Sequence, residues 1–147
     1  MGIPAQSAPG TVTDATLFLR SVVDLGSPMA VTLDAEDTVE EALNFMLLKQ
    51  MGCILATSGE ELVGILTERD ILSKAVAERS DLSSVRISEI MTAKPESFTA
   101  NDTIAHVIRK MQAGGYRHAP IVDEHNTPIA IISVKDIIAF VGKNISQ

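Results

Sequence analysis

The chain has 147 residues, of which 46% are hydrophobic but only 3% aromatic, so its core must be built from Ile, Leu, Val, Ala and Met. That length suits one compact domain or two small subdomains sharing a core. A net charge of −7 argues against nonspecific nucleic-acid binding, and the lack of any apolar run near ~18 residues argues against a transmembrane helix.

Residues 1–16, rich in Gly, Pro, Ala and Ser, read as a mobile arm. Leu17-Phe18-Leu19 begins an apolar lead-in that stops at Gly26-Ser27-Pro28. Val31-Thr32-Leu33 is a short strand. Asp37 with Glu40 resembles a capping box. Val39, Ala42, Leu43, Met46 and Leu47 then form one apolar helical face, which Gly52 ends. Residues 53–56 and 62–66 read as a strand pair around a turn at 58–61, and a second helix is predicted over 68–78. Residues 79–92 form a connector, polar up to 86 and closing on Ile90-Met91-Thr92.

The same order then returns. Ser97-Phe98-Thr99 is a short strand, Asp102 a helix cap, and Ile104, Val107, Ile108 and Met111 an apolar face. Gly114-Gly115 end that helix, one residue later than in the first copy. Strands at 119–122 and 129–132 flank a turn at 123–127, and a last helix covers 134–143. Each unit is therefore strand, helix, strand, strand, helix, which predicts an α/β (α+β) fold of two β-α-β-β-α repeats. The boundaries predicted are an arm at 1–16, a first repeat with its lead-in at 17–78, a connector at 79–92 and a second repeat at 93–147.

The repeat is sharpest at Gly64-Ile65-Leu66-Thr67-Glu68-Arg69-Asp70-Ile71, which returns 66 residues later as Ala130-Ile131-Ile132-Ser133-Val134-Lys135-Asp136-Ile137. A hydroxyl residue followed three positions on by an aspartate has two readings. It is a helix N-cap with its reciprocal partner, or a polar corner whose carboxylate accepts two hydrogen bonds from a cis-diol such as ribose. In the second copy, Gly114-Gly115-Tyr116-Arg117-His118-Ala119-Pro120-Ile121-Val122-Asp123 adds Arg117, a planar fork suited to phosphate, and His118, a donor whose charge follows pH. Residues 81–147 hold seven basic and seven acidic side chains against five and twelve in residues 1–80, so the second half is the better host for an anion. Met51-Gly52-Cys53 stands opposite Arg117-His118-Ala119 and lacks a phosphate anchor, and Ala130 replaces the glycine of the first copy. The two pockets are therefore expected to be unequal.

Taken in order, the Gly-hydrophobic-x-Thr/Ser-x-x-Asp motif, the Gly-Tyr-Arg-His-x-Pro-Ile-Val-Asp segment and the Ile-Met-Thr lead-in at 90–92 resemble a tandem pair of CBS (cystathionine-β-synthase-type) domains over residues 20–143. The resemblance implies two repeats about a pseudo-twofold axis, with clefts for an adenosine-containing ligand. AMP, ADP or ATP come first, with S-adenosylmethionine or NAD as alternatives. It implies that Asp70 and Asp136 take ribose hydroxyls, Thr67 and Ser133 hold ribose or phosphate, and Arg117 and His118 meet phosphate. Thr32 and Thr99 would line the base pocket, Pro120 would join the ligand site as part of the Gly-Tyr-Arg-His-x-Pro-Ile-Val-Asp segment, and Lys135 could supply a further charge. The implied protein is a regulatory module rather than an enzyme, and a homodimer acting on an effector protein. Independently of the resemblance, a single cysteine and the lack of a visible signal peptide read as a cytoplasmic protein. A dimerisation module with vestigial pockets is the rival reading.

Cys53 is the only cysteine, so no internal disulfide can form, and its apolar neighbours suggest a core thiol. His106 and His125 have no partners at metal-ligand spacing. No Ser-His-Asp order, P-loop or GxGxxG fingerprint is present.

Overall fold

The computed structural model describes residues 15–26 and 29–144. The arm expected over 1–16 lies outside the described residues up to position 14, as does Ser27-Pro28 of the first turn. Two short 3-10 turns, Ala15–Leu19 and Val22–Leu25, lead into β1 (Thr32–Asp34), α1 (Val39–Lys49), β2 (Cys53–Ser58), β3 (Glu61–Thr67) and α2 (Glu68–Ile71). Next come α3 (Ile87–Ile90), β4 (Thr92–Ala93), α4 (Ile104–Gly114), β5 (His118–Val122), β6 (Pro128–Ser133) and α5 (Val134–Lys143). Strands β1-β2-β3-β4 form one sheet, in which β1 and β2 are parallel and the other pairs antiparallel. Strands β5 and β6 form an antiparallel hairpin that Phe98 extends by a parallel bridge to Ile121. The two β-α-β-β-α units are thus both present, although the strand expected at 97–99 is reduced to that bridge.

Local chemistry departs from the sequence reading in several places. The caps are Thr38 and Thr103, whose hydroxyls accept from Glu41 N (3.1 Å) and His106 N (3.1 Å). Asp37 and Asp102 sit one residue too early to cap. They bond backward instead, accepting from Asp34 N at 3.1 Å and Thr99 N at 2.8 Å. Gln50, in the left-handed region at φ 54, ends α1 in place of Gly52, and Gly115 at φ 70 ends α4 in the same way. Both helices therefore stop at corresponding residues, 65 apart, and the extra residue of the second copy lies in the longer turn after β5. The second helix is shorter than expected. After Ile71 it widens into a π turn over Leu72–Val76. On α1, Val39, Ala42 and Met46 are buried, while Leu47 is 69% and Leu48 77% exposed, so Leu47 lies off the core face.

The decisive packing runs across the repeats. Ile87 and Ile90 are buried with Val39, Ala42, Met46, Ile54 and Leu66 of the first half. Leu17 and Val22 are buried with Ile104, Val107, Met111, Ile132 and Phe140 of the second. Each lead-in is fastened by the same pair of backbone hydrogen bonds. Val22 N donates to Asp102 O (3.0 Å) and Ile104 N to Arg20 O (3.0 Å). At matching positions, Ile87 N donates to Asp37 O (2.9 Å) and Val39 N to Val85 O (2.8 Å). The halves meet through the opposite faces of their strands. Because side chains alternate along a strand, β2 gives Ile54 and Ala56 to the first core and Cys53 and Leu55 to a central cluster with Leu62, Ile65, Val122 and Ile131.

Gly64 is explained by packing rather than by a ligand. A Cβ there would lie 2.2 Å from Met91 Sδ, so the Met91 side chain would have to move. Ile87→Ala is expected to cost about 2–5 kcal/mol, the range for a fully buried aliphatic truncation, measured by urea unfolding. A loss below about 1 kcal/mol contradicts the exchanged packing. Gly64→Ala is expected to cost about 1–3 kcal/mol, and Met91→Ala in the same chain should recover part of it in a double-mutant cycle.

Candidate functional site

Two strand-to-helix corners build the site. β3 runs into α2 at Thr67 and β6 into α5 at Ser133, both with extended backbone at φ −113. Thr67 Oγ1 accepts from Asp70 N at 3.2 Å while Asp70 Oδ2 accepts from Thr67 N at 3.0 Å. Ser133 Oγ accepts from Asp136 N at 3.2 Å, and Asp136 Oδ2 accepts from Ser133 N at 2.8 Å. Both corners are therefore true capping boxes. Both also line a single cavity of about 850 Å³ between the halves, so capping and pocket formation are not exclusive.

The aspartates differ in what remains free. Asp70 is 9% exposed, and its Oδ2 also accepts from Thr67 Oγ1 at 3.1 Å. Its Oδ1 is held by Lys74 Nζ at 3.1 Å, and Lys74 in turn donates to Ile90 O at 3.0 Å. Asp136 is half-buried, and among the described residues its Oδ1 has no hydrogen-bond or ion-pair partner.

Strand register places the neighbours. His118 lies opposite Ser133 and Cys53 opposite Thr67. Val134 N donates to Arg117 O (3.1 Å) as Glu68 N does to Gly52 O (3.0 Å). Gly52 thus takes the place of Arg117, and Cys53 that of His118. The alignment read from sequence was one residue out, because the extra residue lies downstream of this point. The first half still has no counterpart of the Arg117-His118 pair.

Thr67, Asp70, Arg117, His118, Ser133, Lys135 and Asp136 all line the cavity. Thr32, Thr99 and Pro120 do not. Thr32 is exposed on β1 opposite Leu55. Thr99 is exposed in the turn before α4, its hydroxyl accepting from Asn101 N at 3.2 Å. Pro120 is fully buried in β5, opposite the cavity-lining Ile131. Arg69, Lys94, Glu96 and Tyr116, to which the sequence alone assigns no role, also line the space. Arg69 was legible, since it holds the motif position of Lys135. Lys94 and Glu96 carry no local signal and arrive only because β4 joins the first sheet.

Burial holds His118 below its ordinary 6.5. The Asp136 carboxylate opposes that shift, and the Arg117 cation reinforces it. Burial, aided by the Asp70 carboxylate, pushes the Cys53 thiol up to about 12. At the cavity rim, the Tyr116 hydroxyl donates to Glu96 Oε1 at 2.7 Å, and Lys110 Nζ lies 3.3 Å from Glu96 Oε2. No group of three or more metal-ligating side chains occurs among the described residues, and no helix there is long and apolar enough to cross a membrane.

A sequence model of the family described as CBS domain matches residues 22–77 and 87–143. The CBS domain-containing protein CBSCBSPB5 of Arabidopsis thaliana is 35% identical over 117 residues, which are 78% of this chain and 21% of the plant protein. The chain thus spans about a fifth of that relative. Among solved structures, the CBS domain pair of protein MJ0100, in complex with 5′-methylthioadenosine and S-adenosyl-L-methionine, matches with a TM-score of 0.77 at 25% identity, covering 85% of this chain and 98% of that one. The CBS domain protein PAE2072 from Pyrobaculum aerophilum, complexed with AMP, matches with a TM-score of 0.73 at 23% identity, covering 84% and 98%.

The depressed His118 value has a defined sign. The unfolded chain binds this proton more readily than the folded one, so the contribution of His118 to stability is full above 6.5 and is lost as pH falls through its lower folded value. Urea unfolding between pH 7.5 and 5.5 is expected to show falling stability, and His118→Gln should flatten the slope. Cys53 is expected to resist iodoacetamide at pH 8 in the folded protein and to react readily in urea, since only the thiolate attacks.

Proposed function

We propose, from the premise that this chain belongs to the CBS-domain family, that it is a ligand-sensing regulatory module for an adenine nucleotide, AMP, ADP or ATP. The observation that carries this reading is the open Oδ1 of Asp136 in a cavity it shares with Arg117 and His118. A carboxylate already anchored through one oxygen presents the other in a defined direction, which suits a sugar hydroxyl. Arg117 then offers its planar fork to phosphate, and Ser133 and Lys135 flank the same corner. The adenosine derivatives bound by the MJ0100 pair support the ligand class.

The signal follows from charge. Without ligand, Arg117 disfavours a proton on His118 across the cavity wall. A phosphate between them offsets that repulsion and lets His118 become a second charged donor. The halves share one central cluster and exchanged lead-ins, so a change in their spacing reaches the outer helices. There Phe45, Leu47, Leu48, Leu72, Val76 and Ile138 are exposed, a surface suited to self-association and to an effector protein.

Isothermal calorimetry with AMP, ADP, ATP, S-adenosylmethionine and NAD tests the reading. Binding is expected, and Asp136→Ala should weaken it by about tenfold or more, as loss of a charged hydrogen bond implies. A ligand at a hundred times its Kd should stabilise the fold by about 2.7 kcal/mol. No heat with any of them at millimolar concentration defeats the proposal and leaves the dimerisation-module reading in its place.

A further inference from the structure

The net charge of the chain is −7, yet the cavity between its halves runs the other way. Four cations line it, Arg69, Lys94, Arg117 and Lys135, and among the described residues the charged group of none of them has an ion-pair or hydrogen-bond partner. Its other carboxylates are matched: Asp70 is held by Lys74 at 3.1 Å, and Glu96 by Lys110 at 3.3 Å and the Tyr116 hydroxyl. Only Glu68 and Asp136 remain uncompensated, which leaves four cations against two carboxylates. Lys94 has the left-handed φ of 50, a conformation that a residue with a side chain adopts at some cost. A concave site with an excess of one charge sign focuses its field on a ligand of the other.

The two ends of the cavity are chemically different. At the second-half end, Asp136 keeps a free oxygen beside Arg117 and Lys135. At the first-half end, Asp70 has none, because Lys74 and Thr67 occupy both of its oxygens. Yet that end still brings Arg69 and Lys94 to the wall. Cations without a free diol acceptor suit phosphate and not sugar.

We propose that the cavity takes one nucleotide in one direction: its sugar on Asp136, and a chain of two or more phosphates running toward Arg69 and Lys94. This rests on the nucleotide reading above and narrows it to a nucleoside di- or triphosphate. Asp70 is a structural cap neutralised from within, so the second sugar corner is shut. On this reading a monophosphate leaves the first-half cations without a partner, and a sulfonium ligand meets like charge.

Calorimetry on the full chain compares AMP, ATP and 2′-deoxy-ATP. The expected result is one ATP per chain, bound at least about tenfold more tightly than AMP, a difference of about 1.4 kcal/mol from the added phosphate contacts. The double variant R69A/K94A should shrink the ATP-to-AMP ratio to about threefold or less. Discrimination between ATP and 2′-deoxy-ATP should survive D70N and vanish in D136N, a ratio that a general loss of stability does not imitate. Equal affinity for AMP and ATP, two ATP per chain, or loss of sugar discrimination in D70N overturns the proposal while leaving nucleotide sensing intact. No heat from the wild-type chain with any of the three ends both.

Discussion

Each half of this molecule is completed by a segment of chain that belongs, in order, to the other. Val22 and Leu17 fill the core around Ile104 and Val107, and Ile87 and Ile90 fill the core around Val39 and Ala42. The same two backbone hydrogen bonds fasten each segment, at positions 65 residues apart. Without its borrowed residues either half would keep an apolar hole, and such cavities cost several kcal/mol. The exchange therefore makes one cooperative body from two repeats, and it fixes where the strand-to-helix corners face each other. β4 follows directly from the exchanged Ile87–Ile90 turn and brings Thr92 and Lys94 to the cavity wall.

Within that frame one local motif is put to two uses. Both corners are capping boxes with nearly the same angles and distances. Near Asp70 the helix widens into a π turn, and Lys74 reaches back to the carboxylate and to Ile90 O. Near Asp136 the helix stays regular for ten residues, and no cation among the described residues closes the free oxygen. The strand opposite supplies Cys53 in one half and His118 in the other, so one corner faces an inert buried thiol and the other an imidazole. Pseudosymmetry of backbone thus coexists with asymmetry of charge, and the charge decides which corner has a hydrogen-bond acceptor to spare.

Much of this was legible in the residues themselves. The strand, corner and helix of each motif, the apolar faces of α1 and α4, the hairpins and the inequality of the pockets follow from periodicity, composition and nearby side chains. Even the Asp70–Lys74 pair stands at i, i+4, a spacing that announces itself. Errors of one residue arose at caps, where Asp37 and Asp102 compete with Thr38 and Thr103 for the same role and differ only in which backbone N–H they can reach. The misalignment of Cys53 with Ala119 instead of His118 has a different cause, the extra residue of the second copy, which lies downstream in the turn after β5.

What the chain determined alone is local: which residues start and stop helices, which strand faces are apolar, and which hydroxyl meets which aspartate. Those depend on atoms within a turn or two of one another. The tertiary structure decided which core each lead-in fills, that both corners open on one cavity, and that Lys94 and Glu96 stand on its rim. These join residues dozens of positions apart, where burial across the halves, of Ile87 and Val22 in the opposite cores and of Leu55, Ile65 and Ile131 in the central cluster, supplies the free energy that selects one arrangement.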